Sequence, residues 1–429
     1  MILELPPFPP APHLEVFDFK LQIPAPTPQV FPLLFSNTNS PRIQQIGFRR
    51  LPFSNISPFL RSTLTKISVT SCNLNAQDCS VFAYSLQAMS GLRELLLSSV
   101  DVPEIDPRIM PRDLKLPTLQ VLTVFVDGSS SIMHLVSCIS IPHDTHMHFH
   151  YRVNPPPRFH SLWAELDQFI LGIGNLVTSN MLGGVPTFRT IRLQGSGGYA
   201  LGVWHEELTE GSRLGVGDDD PDPDLLVRIR GTGLSLSTAS LLRRLCGILP
   251  LSSVRTGFLV FKAVERSSAW HNILSAVNDS EIRHLQVSTS NAVYFCRALS
   301  KWSETRPTLP LPNIDRLVLY EAQFLHSQHP FRSTHFQRIK SWLRLRADRG
   351  HKIRRLEFRE AVNFWEGDLD VLRDCVDDLI WDNVEKIPDD PPPHHYVFGA
   401  PSISLEEEKE DDLEPHLLVD QANAFEGDQ

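Results

Sequence analysis

Nine times along this chain, an apolar residue is followed by a second three positions on and a third two positions after that. The fullest instance runs Leu64-x-x-Ile67-x-Val69-x-x-Cys72-x-Leu74. The same frame recurs as Leu14-x-x-Phe17-x-Phe19, Ile43-x-x-Ile46-x-Phe48, Leu92-x-x-Leu95-x-Leu97 and Leu119-x-x-Leu122-x-Val124, at successive spacings of 29, 21, 28 and 27 residues. It returns as Phe188-x-x-Ile191-x-Leu193, Ile282-x-x-Leu285-x-Val287, Ile314-x-x-Leu317-x-Leu319 and Ile353-x-x-Leu356-x-Phe358. A single match is weak, because amphipathic strands and helices produce it often; regular spacing supplies the specificity.

Side chains alternate across a strand, so the last two apolar residues of each frame point inward and their neighbours outward. One such strand cannot bury its apolar face alone, whereas stacked repeats pair into a parallel sheet over a continuous core. The frame is that of leucine-rich repeats, and it predicts an α/β solenoid with a curved parallel sheet on the concave face and helices or turns on the convex face. Helix-patterned segments fall between the strands at 76–90, 160–178, 237–248, 269–277, 292–302 and 335–347. The spacing widens to 39 residues between Ile314 and Ile353, room for whole helices.

Composition agrees. The chain has 429 residues, 41% hydrophobic and 21% charged, with 34 prolines that suit many short elements joined by turns. Ten acidic residues and one lysine between 404 and 429 account for −9 of the net charge of −10. The nearly neutral body argues against nucleic acid, which calls for a clustered basic face; Arg354-Arg355 alone is too small. No apolar run approaches the roughly 20 residues that span a bilayer, and the N-terminus lacks the basic region of a signal peptide. The expected location is cytoplasmic or nuclear. Cysteines 72, 79, 138, 246, 296 and 375 form no Cys-x-x-Cys pair, and reduced, mostly buried thiols are expected.

The chain therefore divides into a Pro-rich segment (1–12), a degenerate repeat array (13–385) and a Pro-rich, acidic, disordered tail (386–429). Inside the array, 144–153 reads as a strand without the frame. Glycines and the acidic run 218–224 predict a mobile loop near 195–224, and the face shared by residues 369, 372, 376, 379 and 380 predicts a closing helix.

The segments Ala11-Pro-His-Leu-Glu-Val-Phe17, Leu92-Arg-Glu-Leu-Leu-Leu97, Ile139-Ser-Ile-Pro-His-Asp-Thr145 and Leu356-Glu-Phe-Arg-Glu360 resemble fungal F-box proteins that carry a degenerate leucine-rich-repeat region, over roughly residues 11 to 385. The resemblance implies a repeat region that selects the substrate of a cullin-RING ubiquitin ligase. No F-box is visible. The ligase adaptor is expected as a partner only if that module is missing from the gene model; otherwise the chain is an orphan interaction scaffold.

The expected function is protein binding without catalysis or cofactors. The candidate binding residues are the outward positions of the frame, on the concave face: Lys20, Arg49, Lys66, Glu94, Phe125, Arg192, Gln194, His284, Gln286, Arg316, Tyr320, Arg355, Glu357 and Arg359, with Asp18, Gln45, Thr70, Ser98 and Thr123 beside them. Arginine and aromatic members are the expected anchors. His143, His146, His148 and His150 are the nearest thing to a metal site, and a metal-dependent enzyme is the weakest reading. Same-face strand residues sit about 6–7 Å apart, which keeps three imidazoles from converging, so an exposed polar strand face is expected. Gly172-Ile-Gly174 and Gly195-Ser-Gly197-Gly198 complete no phosphate-loop pattern and read as turn glycines.

Overall fold

The computed structural model describes residues 13–20, 42–103, 114–127, 131–153, 159–195, 198–208, 221–231, 238–261, 267–278, 280–289, 292–305, 308–324 and 332–384. They form an α/β protein with a long, largely parallel 14-stranded sheet alternating with helices. The chain divides into two compact units. The first comprises Met1–Ala263, Ile273–Ser288 and Pro310–Asp315; the second comprises Val264–Asn272, Thr289–Leu309 and Arg316–Gln429.

The first unit opens with β1 (Val16–Lys20), β2 (Gln45–Arg49), a helical turn α1 (Phe53–Ile56), β3 (Lys66–Thr70), α2 (Ala76–Gln87) and β4 (Glu94–Ser98). The frame residues Ile46, Phe48, Ile67, Val69, Leu95 and Leu97 are all buried, as the alternation requires. Helix α2 starts on a capping box in which Asn75 accepts from the Asp78 backbone N–H and Asp78 accepts in return.

The repeat extends to the backbone. At the strand starts, Gln44 and Gln45 both donate to the Glu15 carbonyl, Thr65 and Lys66 to that of Gln44, Arg93 and Glu94 to that of Thr65, and Gln120 and Val121 to that of Arg93. At the strand ends, Arg50, Ser71 and Ser99 take the left-handed conformation, with φ of 60°, 52° and 50°. Each then donates its N–H to the neighbouring strand, at Thr70, Ser98 and Phe125 respectively. Non-glycine residues rarely accept such a φ; a bond made at the same place each time offsets its cost.

The middle departs from sequential order. After β5 (Leu114–Lys115), β6 (Val121–Asp127), α3 (Ile132–Val136), β7 (Ile139–Pro142) and β8 (His146–Val153), the chain passes through α4 (Phe159–Ser179) and β9 (Met181–Leu182) to β10 (Thr190–Gly195). It then doubles back as β11 (Tyr199–Trp204) and β12 (Leu225–Gly231). Strand β12 lies parallel to β8, β11 runs antiparallel to both β12 and β10, and the order in this unit becomes β1-β2-β3-β4-β6-β8-β12-β11-β10. β5, β7 and β9 form a separate small sheet. Next come α5 (Thr238–Ile248), β13 (Thr256–Phe261), α6 (Ser267–Val277) and β14 (His284–Thr289), with β13 parallel to β10.

Three expectations need correction. Residues 199–204 of the expected loop form a sheet strand, because buried Leu201 and Val203 continue the inner face; residues 209–220 lie outside those described. Gly172 and Gly174 are not turn glycines but stand within α4. A Cβ on Gly172 would lie 2.9 Å from the Met133 side chain, and one on Gly174 would lie 3.1 Å from that of Ile248, so each permits close helix packing. The expected closing helix ends early, at Leu372.

The second unit contains α7 (Ala292–Thr305), β15 (Arg316–Tyr320), α8 (Arg332–Asp348), β16 (Arg355–Arg359), α9 (Glu366–Leu372) and β17 (Asp378–Trp381). β15, β16 and β17 are parallel neighbours. Left-handed Glu321 and Glu360 follow β15 and β16, repeating the turn seen in the first unit. Residues 378–380, expected as the end of a helix, instead pair with β16 together with Trp381, which settles edge-on against Phe364 at 5.7 Å. Phe364 is itself stacked on Phe358 at 4.1 Å. The expected tail, 386–429, lies outside the described residues.

Candidate functional site

In β2, β3, β4, β6 and β8 the buried inner residues alternate with half-exposed or exposed side chains on the opposite face of the sheet. In the first unit this open face holds a cavity of about 310 Å³ lined by Asp18, Phe48, Arg49, Ser68, Thr70, Leu96, Ser98 and Phe125. The register accounts for it: Arg49, Thr70, Ser98 and Phe125 lie in one row across β2, β3, β4 and β6. The small hydroxyls in mid-row leave the depression, with Arg49 and Phe125 at its ends. Gly47 supplies further depth, since a Cβ there would stand 2.7 Å from an Asp18 carboxylate oxygen. Of the expected residues, Arg49 and Phe125 thus share a site, while Lys66 and Glu94 lie beside it as an exposed ion pair of 2.5 Å. Lys20 is opposite Arg49 in β1.

The row continues onto a cationic region. Phe125 stacks on His150 of β8, with centroids 4.3 Å apart and planes at 18°. His150 is opposite Arg228 of β12, and Arg152 is opposite Arg230. Arg192 of β10 lies one row away, facing Gly202 of β11. Burial pushes His150 down to about 4, and Arg228, His148 and Arg230 push it the same way. Burial also lowers the Arg228 guanidinium, aided by Arg230 and Arg192; Asp222 acts in the opposite sense. Arg228 and Arg230 were not among the expected residues. Their signal was the alternation Leu225-Leu-Val227-Arg-Ile229-Arg, hidden because it lies outside the leucine frame.

Beyond this region the open face is covered. Trp204, Leu208 and Phe258 form a buried cluster. The Trp204 ring lies 3.0 Å from where a Gly202 Cβ would stand, and its Nε1 donates to the Pro221 carbonyl at 3.0 Å. His284 meets Phe258 edge-on at 6.3 Å. Gln194 and Gln286 are half-exposed.

His146, His148 and His150 alternate along β8 on this same face, as expected. They diverge in environment: His146 Nδ1 is 3.7 Å from Asp224, burial pushes His148 down, and His150 stacks on Phe125. His143 is elsewhere, its carbonyl 3.2 Å from His205 Nε2. Among the described residues, no group of three or more His, Cys, Asp or Glu side chains is placed to hold a metal ion.

In the second unit, the expected residues Arg316, Arg355, Glu357 and Arg359 form one network. Glu357 is completely buried. Its Oε1 meets Arg316 and, at 2.7 Å, Arg355 Nε; its Oε2 accepts from Arg359 at 3.0 and 2.6 Å. Burial alone would push this carboxyl up, but hydrogen bonds from Arg316 and Arg359 outweigh it and hold the group below the usual carboxylate range. Tyr320 donates to Glu360 at 3.1 Å.

The six cysteines are free, five buried and Cys138 partly so. Burial pushes Cys72 and Cys246 up to about 12 and Cys79 to about 11, so these thiols stay protonated and are poor nucleophiles. No helix among the described residues is long and apolar enough to cross a membrane. Compared with known proteins, the chain matches no family model and no curated protein.

Proposed function

We propose that this chain is a leucine-rich-repeat solenoid that binds a protein segment on the open face of its sheet, without catalysis. The observation that carries the reading is the depression between Arg49 and Phe125, floored by short side chains and formed by four successive repeats. An exposed guanidinium and an aromatic ring at opposite ends of a shallow polar groove provide the anchor types that dominate protein interfaces. Its mixed acidic, basic and hydroxyl lining suits a peptide better than a single small anion. The resemblance to F-box repeat regions adds that the bound protein is a substrate presented for ubiquitylation.

The test is site-specific photo-crosslinking in cells. A photoreactive residue at Ser98 should capture a discrete partner, and one at Tyr84, exposed on α2, should not. Capture should fall at least tenfold when Phe125→Asp is added. Equal capture from both positions, or none from Ser98, would refute the binding face. If the ligase reading holds, the captured protein accumulates when this chain is depleted; unchanged abundance leaves an interaction scaffold.

A further inference from the structure

We propose that the cationic region on β8 and β12 anchors an oxyanion, either a carboxylate or a phosphoryl group, carried by the protein segment bound in the neighbouring groove. This rests on the protein-binding reading and adds the chemistry that the segment must present.

The geometry begins with the β10–β12 excursion. By doubling back, the chain inserts β12 next to β8 and thereby brings Arg228 and Arg230 onto a face that already carries His148, His150 and Arg152. Residues directly opposite on neighbouring strands stand about 5 Å apart, and same-face residues on one strand about 7 Å. Guanidiniums at those separations can converge on a single bound group. Strand β11 keeps the approach to Arg228 low, with Ala200 opposite it.

The second observation is the missing ion pair. Among the described residues, neither Arg228 nor Arg230 has a carboxylate within ion-pair distance. Of the acids nearby, Asp222 acts on Arg228 from beyond that distance, Asp224 accepts from the His205 backbone N–H at 2.7 Å and faces His146, and Asp127 accepts from Ser99. Burial does most to lower His150 and Arg228, and the neighbouring positive charges push both the same way. Like charges gathered on one face without a partner carry an electrostatic cost that a bound oxyanion relieves, and arginine's forked donors match carboxylate and phosphoryl oxygens.

A peptide-borne group is favoured over nucleic acid for two reasons. The cluster is compact, where a nucleic acid would require a run of positive charge along its backbone. It is also continuous with the groove through the Phe125–His150 stack, and that groove carries Asp18, which would repel a phosphate chain.

The experiment uses the full chain and fluorescein-labelled peptides Gly-Ser-Gly-X-Gly-Ser-Gly with X as phosphoserine, glutamate or serine, together with inorganic phosphate and a ten-nucleotide single strand. Anisotropy should show the phosphoserine or glutamate peptide binding at least fivefold tighter than the serine peptide. Arg228→Gln with Arg230→Gln should abolish that preference, while Arg243→Gln, exposed on α5, should leave it unchanged. Arg230→Gln alone, at an exposed position, should weaken it at least threefold and guards against misfolding of the double variant. Equal binding of all three peptides overturns the proposal, as does inorganic phosphate binding without any peptide preference. Tighter binding of the oligonucleotide overturns it in favour of nucleic acid. Crosslinking from Ser98 that is indifferent to Arg228 and Arg230 sinks this proposal alone; a peptide preference without a crosslinked partner sinks the partner reading instead.

Discussion

Arginines crowd the open face of the sheet in both units, with opposite outcomes. In the second unit Arg316, Arg355 and Arg359 surround Glu357, whose carboxylate sits at zero exposure and takes all three. In the first, Arg228 and Arg230 stand beside His150 and Arg152 and make no ion pair among the described residues, Asp222 being the acid that acts on Arg228. A built-in counter-ion turns such a cluster into structure, since removing one partner from a buried ion pair leaves uncompensated charge. A cluster without one retains its capacity for a ligand.

The largest effect should come from breaking the self-contained cluster. Glu357→Gln keeps the shape and removes the charge, and should destabilise the chain by about 3 kcal/mol in urea unfolding, the lower end for breaking a buried pair because Arg355 and Arg359 reach water. A loss below about 1 kcal/mol would show that the network is ornamental. The acid dependence has a definite sign. Because the folded value of Glu357 is depressed, its stabilisation is full above the unfolded value of about 4.3 and is lost as pH falls through the folded value. The Gln variant should lack that loss.

The ligand-ready cluster predicts its own pH signature. His150 titrates near 4 in the folded chain, and about 6.5 in the unfolded one. Here the unfolded chain takes up the proton first, so stability falls as pH drops from about 6.5 toward 4, on the order of 2 kcal/mol once partial solvation is allowed for. His150→Phe should flatten that slope in melts between pH 7 and 4.5. An unchanged slope would mean that neither burial nor the cationic neighbours lower His150.

A conversion sharpens the contrast further. Ala200→Glu places a carboxylate opposite Arg228 and offers it an ion pair across the strands. The variant should gain up to about 1 kcal/mol, as opposite charges across strands do. It should also lose its preference for anionic peptides, and retention of that preference would separate the arginines from anion binding. The smallest effect belongs to the exposed Lys66–Glu94 pair: Lys66→Ala should change stability by no more than about 0.5 kcal/mol.

Much of the sheet was legible because it depends on local pattern. A strand is present wherever the frame occurs, and in the eight frames from Ile46 and Phe48 to Leu356 and Phe358 its inner residues are buried. The helices at 76–87, 159–179 and 332–348 followed from apolar periodicity. Strand β13 escaped because its frame reads Val254-x-x-Gly257-x-Leu259. The glycine leaves an inner slot that Ile282 and Leu285 fill from 3.1 Å. No local rule announces a gap filled by residues some 25 positions away.

The candidate site was half legible for the same reason. Alternation marked Arg49, Phe125 and Arg192 as outward-facing, and it equally marked Glu357, whose isolation from water arises from arginines on two strands. The strand order of the middle could not be read at all, because it depends on which edge a returning hairpin pairs with.

The sequence alone determined the repeating strand, its inner and outer faces and the concentration of charge at the C-terminal end, since those are matters of side-chain type and period. Only the tertiary structure decided which arginines meet a carboxylate and which meet one another. Strand pairing brings together residues far apart in the chain, and the energy of a charge depends on what stands opposite it.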